Sequence, residues 1–445
     1  MTTNDDAPEP FGAHDPLEAP APYAAHALDG GGGRRGRRAP ARSWLGILTM
    51  LGLAVGLSGL AWVMGLVTAL RVGPPIPTPP PDIQAPANFK LYGEAWRYVN
   101  GEFYGRAPEP AAVTAHAIDG MVDALDDPHA IYLDAQRAAE TDADFAPALA
   151  ADIGAWIEPV ANGALVVATV PGSPSDAALD PGDTIVAVGE DELADHGRAE
   201  ALRHLAGAAG SEATLIVLHA SGGGEAVTVE RAKVDAPKVG LVVDEGIARL
   251  SLPHLAPGAV AELDAALRSL EAAAPASLIV DLRDNPGGPL DTLAAVAGRF
   301  VEGTVWIERP RAGETIPHAA QTDGAPGVAL PGRIVVLVNA GTAGTAEMLA
   351  AALRDHAGAH LVGDATFGRP GIQRTTALSD GTRLRLTVAT WQTPGGKAVG
   401  EEGLAPDEAV ALTDEDRAAG RDPQLEAARA AARGAVTVRP GTGGG

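Results

Sequence analysis

The chain of 445 residues carries a formal net charge of −24, which opposes a nucleic-acid-binding role for its folded part. It has no cysteine, so disulfides, thiol nucleophiles and thiolate metal sites are excluded. Its 11 histidines fall in no tight metal-ligating spacing, so neither a metal nor another cofactor is expected, and the length suits two or three domains with cores of their own.

Residues 1–42 are rich in Ala, Pro and Gly and show no helical or strand period. They end in a basic cluster, Arg34, Arg35, Arg37, Arg38 and Arg42, and read as a disordered segment. Ser43 to Leu70 carries no charge and exceeds the ~20 residues that a helix needs to cross ~30 Å of hydrocarbon. An uncleaved, single-pass transmembrane anchor is predicted over 43–70. The arginines before it place the N-terminus in the cytoplasm by the positive-inside rule and the bulk of the chain outside. The proline-rich stretch 71–87 reads as an extended linker.

A helical region is expected over 88–144. Phe89, Tyr92, Trp96, Val99 and Phe103 recur at helical steps and give an aromatic face, and a second helix is expected over Ala111 to Leu125. The loop Asp127-Pro128-His129 follows, and His129 beside a proline reads as a structural residue. Residues 145–234 contain strand patterns at Leu165 to Val170, Thr184 to Val188, Ala213 to Leu218 and Ala226 to Arg231, with a helix at Ala199 to Ala206. The turn Pro181-Gly-Asp-Thr-Ile185 resembles a marker of PDZ domains. Such domains hold a peptide C-terminus by strand addition, with loop amides on the carboxylate. That loop corresponds to Asp152, Ile153, Gly154 and Ala155, and the Asp152 carboxylate would repel a peptide's terminal carboxylate.

Strand–helix–strand alternation over 235–432 implies a mixed or parallel sheet with crossover helices. Its centre is the strand Ile334 to Val338, a Gly/Thr turn from Asn339 and a helix over Ala346 to His356. Turns of this kind point backbone N–H groups and a helix dipole at whatever lies above them, and they present nucleophiles in many hydrolases. Residues 433–445 read as a flexible tail.

The string Ser277 to Gly288, the turn from Asn339 to Glu347, Thr366-Phe-Gly-Arg-Pro-Gly-Ile-Gln373, Thr393-Pro-Gly-Gly-Lys397, Gly403-Leu-Ala-Pro-Asp407 and the Asp-Asp-Pro-His loop occur in one order. Together they resemble the carboxyl-terminal processing peptidases, PDZ-containing serine/lysine proteases, over residues 88–432. The resemblance implies an α/β (α+β) fold: a helical N-terminal region, a PDZ domain and a peptidase core behind the single membrane helix. It also implies serine-type endopeptidase chemistry, protein or peptide C-termini as partners, possible oligomers, and a periplasmic position on a bacterial inner membrane.

In that family the nucleophilic serine stands five residues after the asparagine and the lysine base twenty-five further on. Here those positions are Gly344 and Arg369, and Gln373 matches the residue that supports the base. Gly287, Gly288 and the Thr345 amide match the oxyanion-hole positions. Glycine has no attacking atom, and arginine stays protonated at working pH, so it cannot accept the proton that a general base must take. The expectation is a pseudo-peptidase that binds or scaffolds other proteins. The alternative is an active protease rewired around Thr345 or Thr342, with Lys397 as a free amine. On the first reading, Gly344→Ser with Arg369→Lys rebuilds the dyad.

Overall fold

The computed structural model describes residues 89–434 apart from 107, 136–137, 139–146 and 195–197. The described chain divides into two compact units, one ending at Gly105 and one beginning at Arg106. In the first, α1 (Phe89–Glu102) forms as its helical spacing predicts and leaves Leu91, Tyr98 and Val99 exposed.

The expected transmembrane helix requires correction. No helix among the described residues is long and apolar enough to cross a membrane. Each of them either mixes charge into its turns, as α1 does with Lys90, Glu94, Arg97 and Glu102, or is shorter than a bilayer requires. The stretch 43–70 lies outside the described residues, as do 1–42, 71–87 and the tail beyond 434. The single-pass anchor and the inner-membrane placement built on it are therefore withdrawn.

The second unit begins with α2 (Pro110–Asp123), with proline in its first turn, and β1 (Ile131–Leu133). A small domain follows: β2 (Ala148–Ala150), β3 (Ala155–Val160), β4 (Gly163–Thr169), β5 (Thr184–Val188), β6 (Asp191–Glu192), α3 (Arg198–Leu205), β7 (Glu212–Leu218) and β8 (Gly224–Glu230). Its seven-stranded sheet runs β2-β3-β4-β5-β7-β8, with β6 on β5. Ile153, Ile157, Val166, Ile185 and Leu215 pack inside it beneath Leu205 of α3.

The core comprises β9 (Gly240–Asp244), β10 (Ile247–Ser251), α4 (Ala259–Ala273), β11 (Ser277–Asp281), α5 (Leu290–Ala297), β12 (Thr304–Pro310), β13 (Ile316–Ala319), β14 (Ile334–Val338), α6 (Thr345–Ala357), β15 (His360–Gly363), β16 (Gly371–Ala377), β17 (Arg383–Gln392), β18 (Glu408–Ala409), α7 (Asp414–Ala418) and α8 (Pro423–Ala432). Strands β10, β11, β14, β15 and β18 run parallel and β9 closes one edge antiparallel, the mixed sheet that the alternation implies. Parallel sheets are covered on both faces, which is why β14 reads as an unbroken Ile-Val-Val-Leu-Val and is buried throughout. One face packs Leu250, Val280, Val336 and Val338 against α4, α5 and α6. The other packs Ile279, Val335, Leu337 and Val362 against Ala428 and Ala431 of α8.

A further five-stranded antiparallel sheet, β1-β17-β12-β13 with β16 on β17, lies outside that parallel layer. Through it the loop after β15 and the strand β17 come to the same place as the end of β14.

Candidate active site

At the end of β14 Asn339 organises the turn. Its Oδ1 accepts from the amides of Asp284 and Gly341, and its Nδ2 donates to Asp284 Oδ1 at 2.7 Å. The Thr342 hydroxyl is fully buried; it donates to the Leu282 carbonyl at 2.8 Å and accepts from the Asn339 amide at 3.0 Å. Its proton is spent on structure.

Gly344 then caps α6 with φ 55° and ψ −115°, a region that residues with a Cβ rarely adopt. Space is not the constraint, because the nearest atom to an added Cβ is Arg369 Cδ at 3.8 Å. The cap is made by Glu347 alone, whose Oε2 accepts from the Gly344 amide at 2.8 Å. The same buried carboxylate accepts from Thr366 Oγ1 at 2.5 Å, the Gly368 amide at 2.9 Å and the Arg369 amide at 3.0 Å. Burial pushes its pKa up while these donors work against the rise. Glu347 thus ties the glycine elbow to the loop that carries the base position.

Across the cleft, the loop after β11 is pinned by Asn285, whose side chain donates to the Leu252 carbonyl at 2.6 Å and accepts from the Gly287 amide at 2.8 Å. The Gly288 amide donates to Thr345 Oγ1 at 2.8 Å, and that hydroxyl lies 3.1 Å from the Gly288 carbonyl. The two expected oxyanion-hole amides of this loop therefore already have acceptors within the chain. Glycine is required at 288 by crowding, since an added Cβ would sit 2.0 Å from the Leu255 carbonyl oxygen. Thr345 is held by the same loop through its hydroxyl, and Lys397 is exposed.

The position expected to carry the base holds a cation that is already paired. Arg369 forks onto both oxygens of Glu158, a fully buried carboxylate on β3, and Arg385 of β17 reaches the same carboxylate. Burial works to raise the Glu158 pKa, but Arg369 and Arg385 together outweigh it and hold the carboxyl at about 2. Arg369 keeps its proton more firmly than usual, because the attraction of Glu158 overrides the cost of burial. Its carbonyl accepts from Trp391 Nε1 at 2.8 Å, which fixes the backbone. Gln373 does not support Arg369; a bulge at Ile372/Gln373 turns its amide onto Thr387 Oγ1 at 3.3 Å.

His129 joins this cluster, with Nδ1 3.5 Å from an Arg369 nitrogen. It reads from sequence as a loop residue of structural use only, whereas it packs against the base position. Burial, aided by Arg369, drops its pKa to about 4. The group is neutral in the folded chain, so the stability it contributes is full above about pH 6.5. That stability is lost as the pH falls towards 4, because only the unfolded chain takes up the proton. Asp284, raised by burial to about 6, acts oppositely and favours the fold as the pH falls from 6 to 4. His129→Gln is therefore expected to remove ~2 kcal/mol of the stability difference between pH 7 and pH 4.5, measured against the parent chain by urea unfolding at both pH values. Identical pH slopes in the two chains would contradict this.

Gly288, Gly344, Thr345, Arg369, Gln373 and Arg385 share one open cleft of about 420 Å³. Glu158 and Arg385 are the site residues that sequence reasoning misses. The visible signal is a lone carboxylate in the apolar run Ala-Trp-Ile-Glu-Pro-Val, which demands a buried cation from elsewhere.

The expected peptide loop of the small domain is arranged differently from a free carboxylate cradle. The Ile153 and Gly154 amides both donate to the Ala150 carbonyl, at 3.1 and 2.8 Å. Asp152 Oδ2 accepts from the Gly207 amide at 3.0 Å. Ala155 starts β3, which pairs with β4 on one edge and with this chain's own β2 on the other.

A strand running into a glycine elbow at the head of a buried helix, faced by a glycine loop, defines the core of a hydrolase-type α/β protein. Residues 246–410 match the model of peptidase family S41. Across 333 residues the chain is 28% identical to the carboxy-terminal processing protease CtpA of Bacillus subtilis, covering 74% of this chain and 70% of that one. A probable CtpA-like serine protease of Staphylococcus haemolyticus is 23% identical over 84% of this chain and 74% of its own length. Among solved structures, the photosystem II D1 C-terminal processing protease superposes with a TM-score of 0.56 at 25% identity, over 74% of this chain and 94% of that one. The core over residues 246–410 is thus assigned to peptidase family S41, and the chain is similar to the CtpA-like processing proteases.

Proposed function

We propose that this chain keeps the S41 fold without hydrolysing peptide bonds, and acts as a pseudo-peptidase that holds polypeptide in the retained cleft. The observation that carries the reading is Arg369, which stands in the base position as a cation forked onto the buried Glu158 while Gly344 offers no side chain. At these two positions a proton acceptor and an attacking oxygen are both missing, and acyl transfer needs both. The Thr345 alternative is disfavoured by the hydrogen bonds that engage its hydroxyl with the Gly288 backbone.

Partners of this reading are extended polypeptides. Strand addition at the small domain, the mode implied by the PDZ resemblance, requires β2 to leave the edge of β3 and the Ile153 and Gly154 amides to leave Ala150. The cleft beside Gly344 imposes no such exchange, which favours it as the contact surface.

The test is incubation of the purified chain with β-casein, an unstructured substrate, followed by mass spectrometry. No cleavage above the blank is expected. Turnover that Thr345→Ala abolishes would overturn the proposal and identify a threonine nucleophile.

A further inference from the structure

The cluster around Arg369 joins four segments of the chain. Glu158 sits on β3 of the small domain, 211 residues from Arg369 and 227 from Arg385. Arg369 lies on the loop after β15, and Arg385 on β17 of the antiparallel sheet. His129, on the loop before β1, lies 4.0 Å from the Glu158 carboxylate. Glu158 is fully buried, and Arg369 and Arg385 are almost so.

Isolated burial of any of these charges would be prohibitive, so each is tolerated only while the others are in place. The small domain can separate from the core only by exposing the carboxylate on one side and both guanidinium groups on the other. Arg369 supplies what a lysine at this position would not, a planar fork that matches both carboxylate oxygens at once.

We infer that the base position of this chain has been converted into the core half of an interdomain anchor, whose other half is Glu158, and that the anchor holds the small domain closed against the cleft at Gly344. The inference deepens the pseudo-peptidase reading by giving Arg369 a positive role, yet it concerns domain position and is read without any cleavage measurement. Glu158 and Arg369 are thus positioning residues. A ligand that enters the cleft from the side of the small domain works against this ion pair.

The absence of native cysteine allows a direct test. Cysteines at the exposed positions Ser221, in the small domain, and Glu314, in the core, carry spin labels whose separation is read by pulsed electron resonance. The parent chain is expected to give one narrow distance. Glu158→Gln leaves two guanidinium groups facing each other without the carboxylate that both bind, and is expected to raise the open-to-closed ratio about a hundredfold or more, seen as a second, broad distance. The exchange Glu158→Arg with Arg369→Glu retains one carboxylate among the guanidinium groups and should return the narrow distance. Should Glu158→Gln fail to fold, as judged by circular dichroism, Arg369→Met is read in its place and should broaden the distance to a smaller degree, because Arg385 still holds Glu158. An unchanged single distance in a folded Glu158→Gln or Arg369→Met chain overturns the anchor. So does a folded exchange variant that stays broad. Neither result bears on whether the natural chain cleaves casein.

Discussion

Gly344→Ser combined with Arg369→Lys is expected to leave the chain without peptidase activity, although the two changes rebuild the dyad on paper. A lysine at 369 inherits Glu158 as its neighbour, and an opposite charge at contact distance stabilises the ammonium form. A general base must be neutral to accept the serine proton, so the lysine pKa moves in the wrong direction. The new serine also takes a backbone conformation of φ 55° and ψ −115°, at a cost of about 1–3 kcal/mol. Finally, the Gly288 amide remains engaged by Thr345 Oγ1 and is not free to receive a developing oxyanion. Adding Glu158→Ala removes the charge that holds the lysine protonated and is expected to give the first measurable turnover. The measurement is casein cleavage by the double and triple variants side by side, with the Gly344→Ser single variant as blank. Full activity in the double variant would show that Glu158 does not govern the base position.

Glu347→Ala is expected to be the most destabilising single change in the core. It strands four donors at once: the amides of Gly344, Gly368 and Arg369 and the hydroxyl of Thr366. The carboxylate is fully buried, so water does not replace it without opening the elbow. An unsatisfied buried donor costs about 1–3 kcal/mol, and a cavity adds to the sum, so a loss of ~4 kcal/mol or more is anticipated. Glu347→Gln, which keeps the shape and part of the acceptor capacity, should lose about half as much. Urea unfolding monitored by circular dichroism checks both, with an unchanged slope required for the comparison. Hydrogen exchange should speed up first at residues 366–369 and 344, where the released amides lie. A shift of less than ~1 kcal/mol in Glu347→Ala would mean that the elbow and the loop are held together by packing alone.

The local devices of this core were legible without coordinates because each is written in adjacent residues. The buried strand at Ile334–Val338 shows in an unbroken apolar run, and the turn after it in closely spaced Gly and Thr. Sequence spacing starts the helix at Ala346, whereas it begins at Thr345, because the capping carboxylate of Glu347 acts backwards from the third position. The loop at Gly287 and Gly288 is legible as a turn, and Gly287 has the positive φ of 85° that such a turn needs, but crowding from Leu255, Ala343 and Thr345 adds a second reason that only assembled sheets create.

By itself the sequence determined the resemblance to the family, a residue without a hydroxyl at 344 and a guanidinium at 369. Those are covalent facts of side-chain identity, and no fold can add an oxygen to glycine or deprotonate a guanidinium at working pH. Only the tertiary structure decided what Arg369 pairs with. Its partners, Glu158, Arg385 and His129, come from three separate segments, and their pairing follows from the rule that a buried charge must find its opposite, wherever in the chain that opposite lies.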